Sequence, residues 1–584
     1  MTRLDDRLNA LSPERRKLVE QLLGRKEATS AATGFQAPET PEEESLAGIW
    51  CEVLGLKSIG VEDDFVAIGG DSIRAIQISA RARRAGLVFG ADQCFRHKTI
   101  RQLARALEVG GESWVPSARD PSQQTPGALS YGEQRLWIEH ELHQNTPAGN
   151  TFTALRLDGR VHVDALEQTV QALALRHEAL RTRYRTRAGQ VQREIVADLL
   201  PELIVLEGDA VAGETEEARL RQIAAEQTSR PFDLTTAPLF RCVLVTFDGE
   251  PRYLILIAHH IICDAWSMNL LLAELARVYE ARVNGLPSPL EPLQTGYAEF
   301  AQWQRESVSS GRLEEQLAYW CEELQDAPRS HTLPLQHPRP AARSYRGQVS
   351  YFRLEPDTVA AADRYAKTQG VTRFVACLSA YVLVVHALGG GDDIVVGTPL
   401  LGRPFDESQR LVGFFLNTAG LRARVDKHQP VAELTQRVGS AAAEALRHQD
   451  VPYDLVLEKL RVERSAAHSP LFQLWFVVQT GKSQAVRLAD LTLTPVELQR
   501  TTSVFDLALS LQEDEAGISG WIEYNTDIFD PGFIERLKQG YAWILDAMDA
   551  AADEPVATLL AGLSAEEAAA GKRARDELRR RIRH

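Results

Sequence analysis

The stretch LILIAHHIICDAWSMN (254–269) constrains this chain most, because an almost wholly apolar run ends abruptly in two adjacent histidines and an aspartate. The run reads as a buried strand, and a buried strand commits the surrounding chain to a covered sheet. Strand alternation puts Leu254, Leu256, Ala258 and His260 on one face and Ile255, Ile257 and His259 on the other. The histidines therefore point apart, and one at most faces a common reaction space. A buried polar group needs a partner, so the other is expected to support the fold. Asp264, four residues after His260, can accept a hydrogen bond or pair with a buried arginine and brace the turn. On these residues alone, a pair of satisfied core histidines and a catalytic base on a rigid element both stand.

The chain is too long for one ordinary core, and its composition breaks it into segments. Residues 1–25 read as an N-terminal helical segment, with Ser12 expected as cap and Pro13 in the first turn of LSPERRKLVEQLL. KEATSAATGFQAPETPEEES (26–45) reads as a linker, and residues 46–109 as an all-helical unit. A second linker covers 110–128. Residues 129–545 alternate strand-like runs such as DIVVGTPL with helical patterns such as VDALEQTVQALALRHEALR and VAELTQRVGSAAAEALRH, an α/β pattern. Residues 546–584 end in a basic helical tail.

A formal net charge of −15 argues against a nucleic-acid binder. The N-terminus lacks the apolar core of a signal peptide, and no run approaches ~18 apolar residues, so neither export nor a membrane span is expected. Six scattered cysteines without a CxxC pair fit a reduced, cytoplasmic protein without a zinc site, and Cys263 reads as a small apolar strand residue.

In the small unit, DDFVAIGGDSIRAIQ (63–77) runs through a two-glycine turn and Asp71 into a helix led by Ser72. Glycines permit the tight turn, and a helix N-terminus favours a phosphate ester. This unit resembles the peptidyl carrier domains of nonribosomal peptide synthetases, four-helix bundles with a core motif of the form LGGxS, here IGGDS. The resemblance implies a 4'-phosphopantetheine group on Ser72, with Gly70 and Asp71 as its immediate neighbours. Asp71 is similar to the variant often found ahead of epimerisation domains.

The large unit resembles condensation domains and the wider chloramphenicol-acetyltransferase-like acyltransferases. HHIICDAWS matches HHxxxDG, and LSYGEQRLW (129–137), RHEALRTRY (176–184), YAEFAQWQ (297–304), VGFFLNT (412–418), HQDVPYDLV (448–456) and RSAAHSPLFQ (464–473) follow in the family's order. That series argues against an epimerisation domain. The resemblance implies a V-shaped pseudodimer of two α/β halves, 129–300 and 301–545, with a tunnel between them. It makes His260 the catalytic residue, His259 and Asp264 its supports, and Arg403 in GTPLLGRPF the partner of Asp264. Asn417 is a further structural support. Ala265 stands where the motif has Gly. A backbone N–H survives that change, but strain of about 1–3 kcal/mol is expected if the position needs a glycine conformation.

The resemblance implies amide formation between an acyl thioester and an amine. A phosphopantetheinyl transferase would modify Ser72, an adenylation enzyme would load it in trans, and a downstream carrier or a soluble amine would accept the acyl group. No adenylation-type, P-loop or GxSxG stretch is present to activate an amino acid or release a product. The initiating Met and basic tail read as those of a complete, monomeric protein whose terminal helices dock acidic carriers. Two alternatives are an acyltransferase acting on a soluble amine or alcohol, and a degenerate domain that only binds partners.

Overall fold

A computed structural model describes residues 35–107, 127–143, 146–208, 214–463, 465–479, 485–488, 490–514, 517–566 and 568–569. The expected helix at 1–25, most of both linkers and the basic end of the tail lie outside the described residues. The chain divides into two compact units, residues 1–113 and 114–584.

The first unit is helical: α1 (Pro41–Leu54), α2 (Ser72–Arg84), α3 (Gln93–Arg96) and α4 (Ile100–Ala106). Its core gathers on Phe65, which is fully buried and meets Trp50 and Phe95 edge-on at 4.9 and 5.5 Å. Helix α1 begins inside the stretch read as a linker. Thr40 caps it by accepting the Glu43 N–H, Pro41 occupies the first turn, and Glu42, Glu43 and Glu44 face the positive end of the dipole. The polar composition that suggested a linker is that of a helix start.

The second unit begins with α5 (Tyr131–Leu142), β1 (Asn150–Gly159), α6 (Val163–Arg176), β2 (Thr182–Arg187), β3 (Gln190–Ile195), β4 (Leu203–Glu207), α7 (Glu216–Ser229), β5 (Phe240–Phe247), β6 (Glu250–His259) and α8 (Ala265–Val283). It continues through α9 (Tyr297–Ser309), α10 (Glu314–Leu324), β7 (Gly347–Arg353), α11 (Pro356–Gln369), α12 (Arg373–Ala387), β8 (Asp393–Leu400), β9 (Asn417–Arg424), α13 (Val431–Arg447) and α14 (Tyr453–Lys459). It closes with β10 (Leu474–Gln479), β11 (Val486–Arg487), β12 (Leu491–Val496), β13 (Leu507–Asp514), β14 (Gly517–Asn525), α15 (Pro531–Ala547) and α16 (Val556–Glu566).

Two six-stranded sheets organise these elements, in the orders β11-β12-β1-β6-β5-β4 and β7-β14-β13-β10-β8-β9. Strand β6 sits third from one edge of the first sheet, between β1 and β5, and residues 254–258 are all buried. Helices α6 and α8 pack together over it. In the second half, α12 buries every residue from Val375 to Val385, which fits a helix sunk between neighbours rather than a one-faced surface helix.

The two halves do not divide the sequence at residue 300. Helix α9 runs through that position, and β12, far beyond it, pairs antiparallel with β1 and completes the first sheet. Leu491 and Leu493 join the first half's core, so the chain returns there before entering β13. The described part of the tail also belongs to this unit. Val556, Leu559 and Leu563 of α16 are buried at its i, i+3, i+7 face, while the basic stretch expected to dock lies outside the described residues. Among the described residues no single helix is long and apolar enough to cross a membrane, and no group of three or more metal-ligating side chains occurs.

Candidate active site and carrier attachment turn

In the first unit, the turn before α2 is shaped by contacts that tolerate few substitutions. Asp64 Oδ1 accepts the Val66 and Ala67 N–H groups, each at 3.0 Å, and the Gly70 N–H closes on the Phe65 carbonyl at 2.7 Å. Gly69 has φ +99°, which a side chain would strain. A Cβ on Gly70 would lie 2.4 Å from the Phe65 carbonyl oxygen and 2.5 Å from its ring. Asp71 caps α2, its Oδ1 accepting the Arg74 N–H at 2.8 Å, and Ser72 is the helix's first residue. The site thus has a serine at a helix start, behind a turn with room for glycine alone. That arrangement fits a phosphopantetheine ester on Ser72, since the first-turn N–H groups have no intrahelical partners.

In the second unit, β6 ends at His259 and the chain tightens into a 3₁₀ turn, His260–Ile262. Strand alternation therefore stops one residue short of His260, which is placed by the turn and not by the pleat. His259 is buried, and its Nδ1 accepts the Ile261 N–H at 3.1 Å, so it holds the turn against the strand end. Burial, reinforced by the neighbouring His140 and His260 imidazoles, depresses its pKa to about 3.

His260 is half-buried. Its Nδ1 lies 2.8 Å from the Cys263 carbonyl oxygen, which can only accept, so Nδ1 carries the proton and a neutral ring leaves the Nε2 lone pair available. Burial lowers its pKa, opposed by the Cys263 carbonyl and Asp264 and assisted by Arg135. The imidazole is thereby neutral near pH 7. Phe414 meets it edge-on with ring centroids 5.0 Å apart. Cys263 is fully buried, and that burial pushes its thiol far above the usual range, which leaves no nucleophile there.

Asp264 caps α8, its Oδ1 accepting the Ser267 N–H at 2.7 Å. Arg403 Nη2 donates to its two oxygens at 3.0 and 3.2 Å, and the Phe415 N–H donates to Oδ2 at 3.1 Å. Arg403 also donates to Ser267 Oγ at 2.9 Å and to the Leu411 and Ser408 carbonyls. Ser267 Oγ donates to the Gly413 carbonyl at 2.9 Å, and the Asp264 N–H reaches the same oxygen at 3.1 Å. Both charged groups are almost wholly buried, and the cluster ties the histidine turn to the 403–415 segment of the second half.

Ala265 is the first residue of α8, with helical backbone and an exposed side chain, and is not among the residues with positive φ. The strain expected there does not arise, because a helix start suits alanine. Asn417 lies just beyond the 403–415 segment, as the first residue of β9. Its Nδ2 donates to the Gln449 and Val451 carbonyls at 2.9 and 2.6 Å, and its Oδ1 accepts the Tyr453 N–H at 3.1 Å. It fastens the loop before α14, while Trp266 Nε1 donates to the Gln409 carbonyl at 2.9 Å.

A buried polar group behind the turn went unread in the sequence. Tyr184 O–H donates to Glu133 Oε1 at 2.8 Å, Arg193 approaches Glu133 at 3.4 Å, and Ser130 caps α5 through a reciprocal box with Glu133. Tyr297 O–H donates to the Phe414 carbonyl at 2.6 Å, so Ser130 Oγ must be the donor in its 2.9 Å bond to the same phenol. Ser130 and Glu133 followed by the apolar α5 pattern was the available signal; the long-range partners had none.

The condensation-domain family model matches residues 124–569, and the phosphopantetheine attachment-site model matches 44–107. The chain is 35% identical over 536 residues to a linear gramicidin synthase polypeptide of Brevibacillus parabrevis, covering 90% of this chain and 7% of that protein. It is 36% identical over 533 residues to malpinin synthetase of Mortierella alpina, covering 90% of this chain and 7% of that one. It therefore spans less than a tenth of either relative's length. Among solved structures it is similar to the X-domain from teicoplanin biosynthesis in its complex with OxyB (TM-score 0.69, 25% identity, 77% of this chain and 98% of that chain).

Proposed function

Since this chain belongs to the condensation-domain family, with a phosphopantetheine attachment domain ahead of that domain, we propose that it forms an amide from an acyl thioester and an amine during nonribosomal peptide assembly. The observation that carries this reading is the geometry of His260, whose Nδ1 lies 2.8 Å from the Cys263 carbonyl oxygen and so leaves Nε2 as the basic atom of the ring, with burial lowering its pKa.

His260 Nε2 accepts the proton of the amine as nitrogen adds to the thioester carbonyl, and returns it to the departing thiolate. The C–N bond forms, the C–S bond breaks, and no proton is gained or lost overall. Such proton transfer by a positioned side chain contributes about 10²–10⁴-fold. His259 holds the start of the 3₁₀ turn, and Asp264 with Arg403 holds its end. The first-turn N–H of Ala265 remains a candidate donor to the developing oxyanion.

Ser72 is the attachment residue in this reading, Gly70 shapes its turn and Asp71 starts its helix. The phosphopantetheine arm supplies the thioester linkage on which the donor acyl group is held. The carrier precedes the condensation domain, which supports the donor role for its acyl group. The partners are a phosphopantetheinyl transferase, an adenylation enzyme acting in trans, and a carrier or soluble amine as acceptor. The protein acts as a cytoplasmic monomer, a placement supported by six cysteines that form no disulfide.

The likeness to an X-domain solved with OxyB supports a second reading, in which the domain binds a partner protein without condensing. One experiment separates them. The chain is incubated with a phosphopantetheinyl transferase and aminoacyl-coenzyme A, offered candidate amines, and followed by intact mass. Mass gain lost in Ser72→Ala, followed by release of an amide, supports condensation. Loading on a residue other than Ser72 overturns the carrier assignment, and stable loading without amide favours the binding role.

A further inference from the structure

Within its own turn His260 is held by backbone contacts, chiefly the bond from Nδ1 to the Cys263 carbonyl, about which the imidazole can tilt. What opposes the tilt comes from the other half of the unit. The Phe414 ring stands at 84° to the imidazole, an edge-to-face contact at 5.0 Å. Phe414 is itself held from two sides. Tyr297 O–H donates to its carbonyl at 2.6 Å, and Gly132 of α5 leaves the space its ring occupies, since a Cβ there would lie 2.7 Å from the ring. Tyr297 is fully buried, and burial raises its phenol far above the usual range, so it remains a donor at all working pH values.

We propose that Phe414 is a positioning residue for His260, held in place by Tyr297, so that the second half of the unit sets the orientation of the imidazole carried by the first. Any movement that separates the 412–415 segment from β6 then withdraws the ring and uncouples the base. The kinetic part rests on the reading of His260 as the proton acceptor; the packing part does not.

The test uses the full chain with three variants. Phe414→Leu removes the aromatic edge. Tyr297→Phe keeps the ring and deletes the phenol's bonds to the Phe414 carbonyl and to Ser130 Oγ, and Gly132→Ala displaces Phe414 from behind. The first readout is the pH dependence of amide formation. Around His260 the charged and titratable neighbours are Asp264, Arg135 and His259, all retained in the variants. Phe414→Leu lowers kcat about ten- to a hundredfold with little change in KM, and moves the acid limb upward as burial is relieved. Tyr297→Phe and Gly132→Ala move both quantities the same way by smaller factors.

The second readout needs no turnover: the rate at which diethylpyrocarbonate acylates His260, measured by peptide mass spectrometry with the other histidines as internal controls. It rises severalfold in Phe414→Leu and less in Tyr297→Phe. Wild-type acylation of His260 in both variants overturns the proposal, as does a loss confined to KM. If the wild-type chain forms no amide, the catalytic reading fails, while the acylation rates still decide whether Phe414 positions the ring.

Discussion

The Arg403 guanidinium reaches Asp264 across 139 positions of sequence and donates to both carboxylate oxygens, with each side chain nearly excluded from solvent. Burial pulls the Arg403 pKa down and Asp264 opposes that fall. Neither charge is tolerable there alone. Asp264→Ala or Arg403→Ala should cost roughly 3–5 kcal/mol, because the partner is left buried and uncompensated. Urea denaturation of the single variants and of the double variant measures this. The double variant is expected to be more stable than the sum of the two losses implies, and strict additivity would refute the pairing.

Ala265→Gly tests the one departure from the family motif. Ala265 starts α8 with ordinary helical backbone, so glycine has no strain to relieve. Turnover should change little, and stability should fall by no more than about 0.5–1 kcal/mol. A large gain in kcat would show that the working site needs a backbone conformation other than this one.

His259 predicts an acid limb in stability. Its imidazole is held neutral down to about pH 3 in the fold, whereas in the unfolded chain it protonates near 6.5. Between those values the unfolded chain binds the extra proton, so stability falls as pH drops below about 6.5, by up to ~1.4 kcal/mol per pH unit for this group, and the loss levels off below about 3. Burial shifts His140, His143, His177 and His260 the same way, which steepens the wild-type slope. In His259→Asn the slope between pH 4 and 6 should be shallower by close to one proton. An unchanged slope would contradict the burial of a neutral His259.

Gly70→Ala should damage the carrier unit without touching the other. The new methyl would collide with the Phe65 carbonyl and ring, at a cost of about 1–3 kcal/mol in a packed core. Thermal unfolding of that unit and the rate of Ser72 modification should both report it. A variant with wild-type melting and modification would mean the turn has slack that these contacts deny.

The sequence was most informative where chemistry and periodicity agree locally. DIVVGTPL is β8 residue for residue, whereas the attachment turn and the histidine motif with Asp264 were ambiguous on spacing alone and took their roles from the resemblance to family motifs. It misled where a local pattern had two meanings. Thr40 and Pro41 read as linker composition until their position at the head of an apolar helix is seen, and strand alternation was extended one residue too far, into His260. It was silent where partners are remote. The return of β12 into the first sheet, the Tyr297 bond to Phe414 and the Tyr184 bond to Glu133 join residues far apart in the chain, and no spacing rule encodes them.

Whether His260 accepts the proton of the attacking amine is decided by single-turnover amide formation from the acyl-loaded chain. Wild type is compared with His260→Ala under saturating amine, with loading of Ser72 verified by mass in both. Equal loading is expected, with a rate lower by about 10²–10⁴-fold in the variant. Equal rates from the two proteins would contradict a proton-accepting His260.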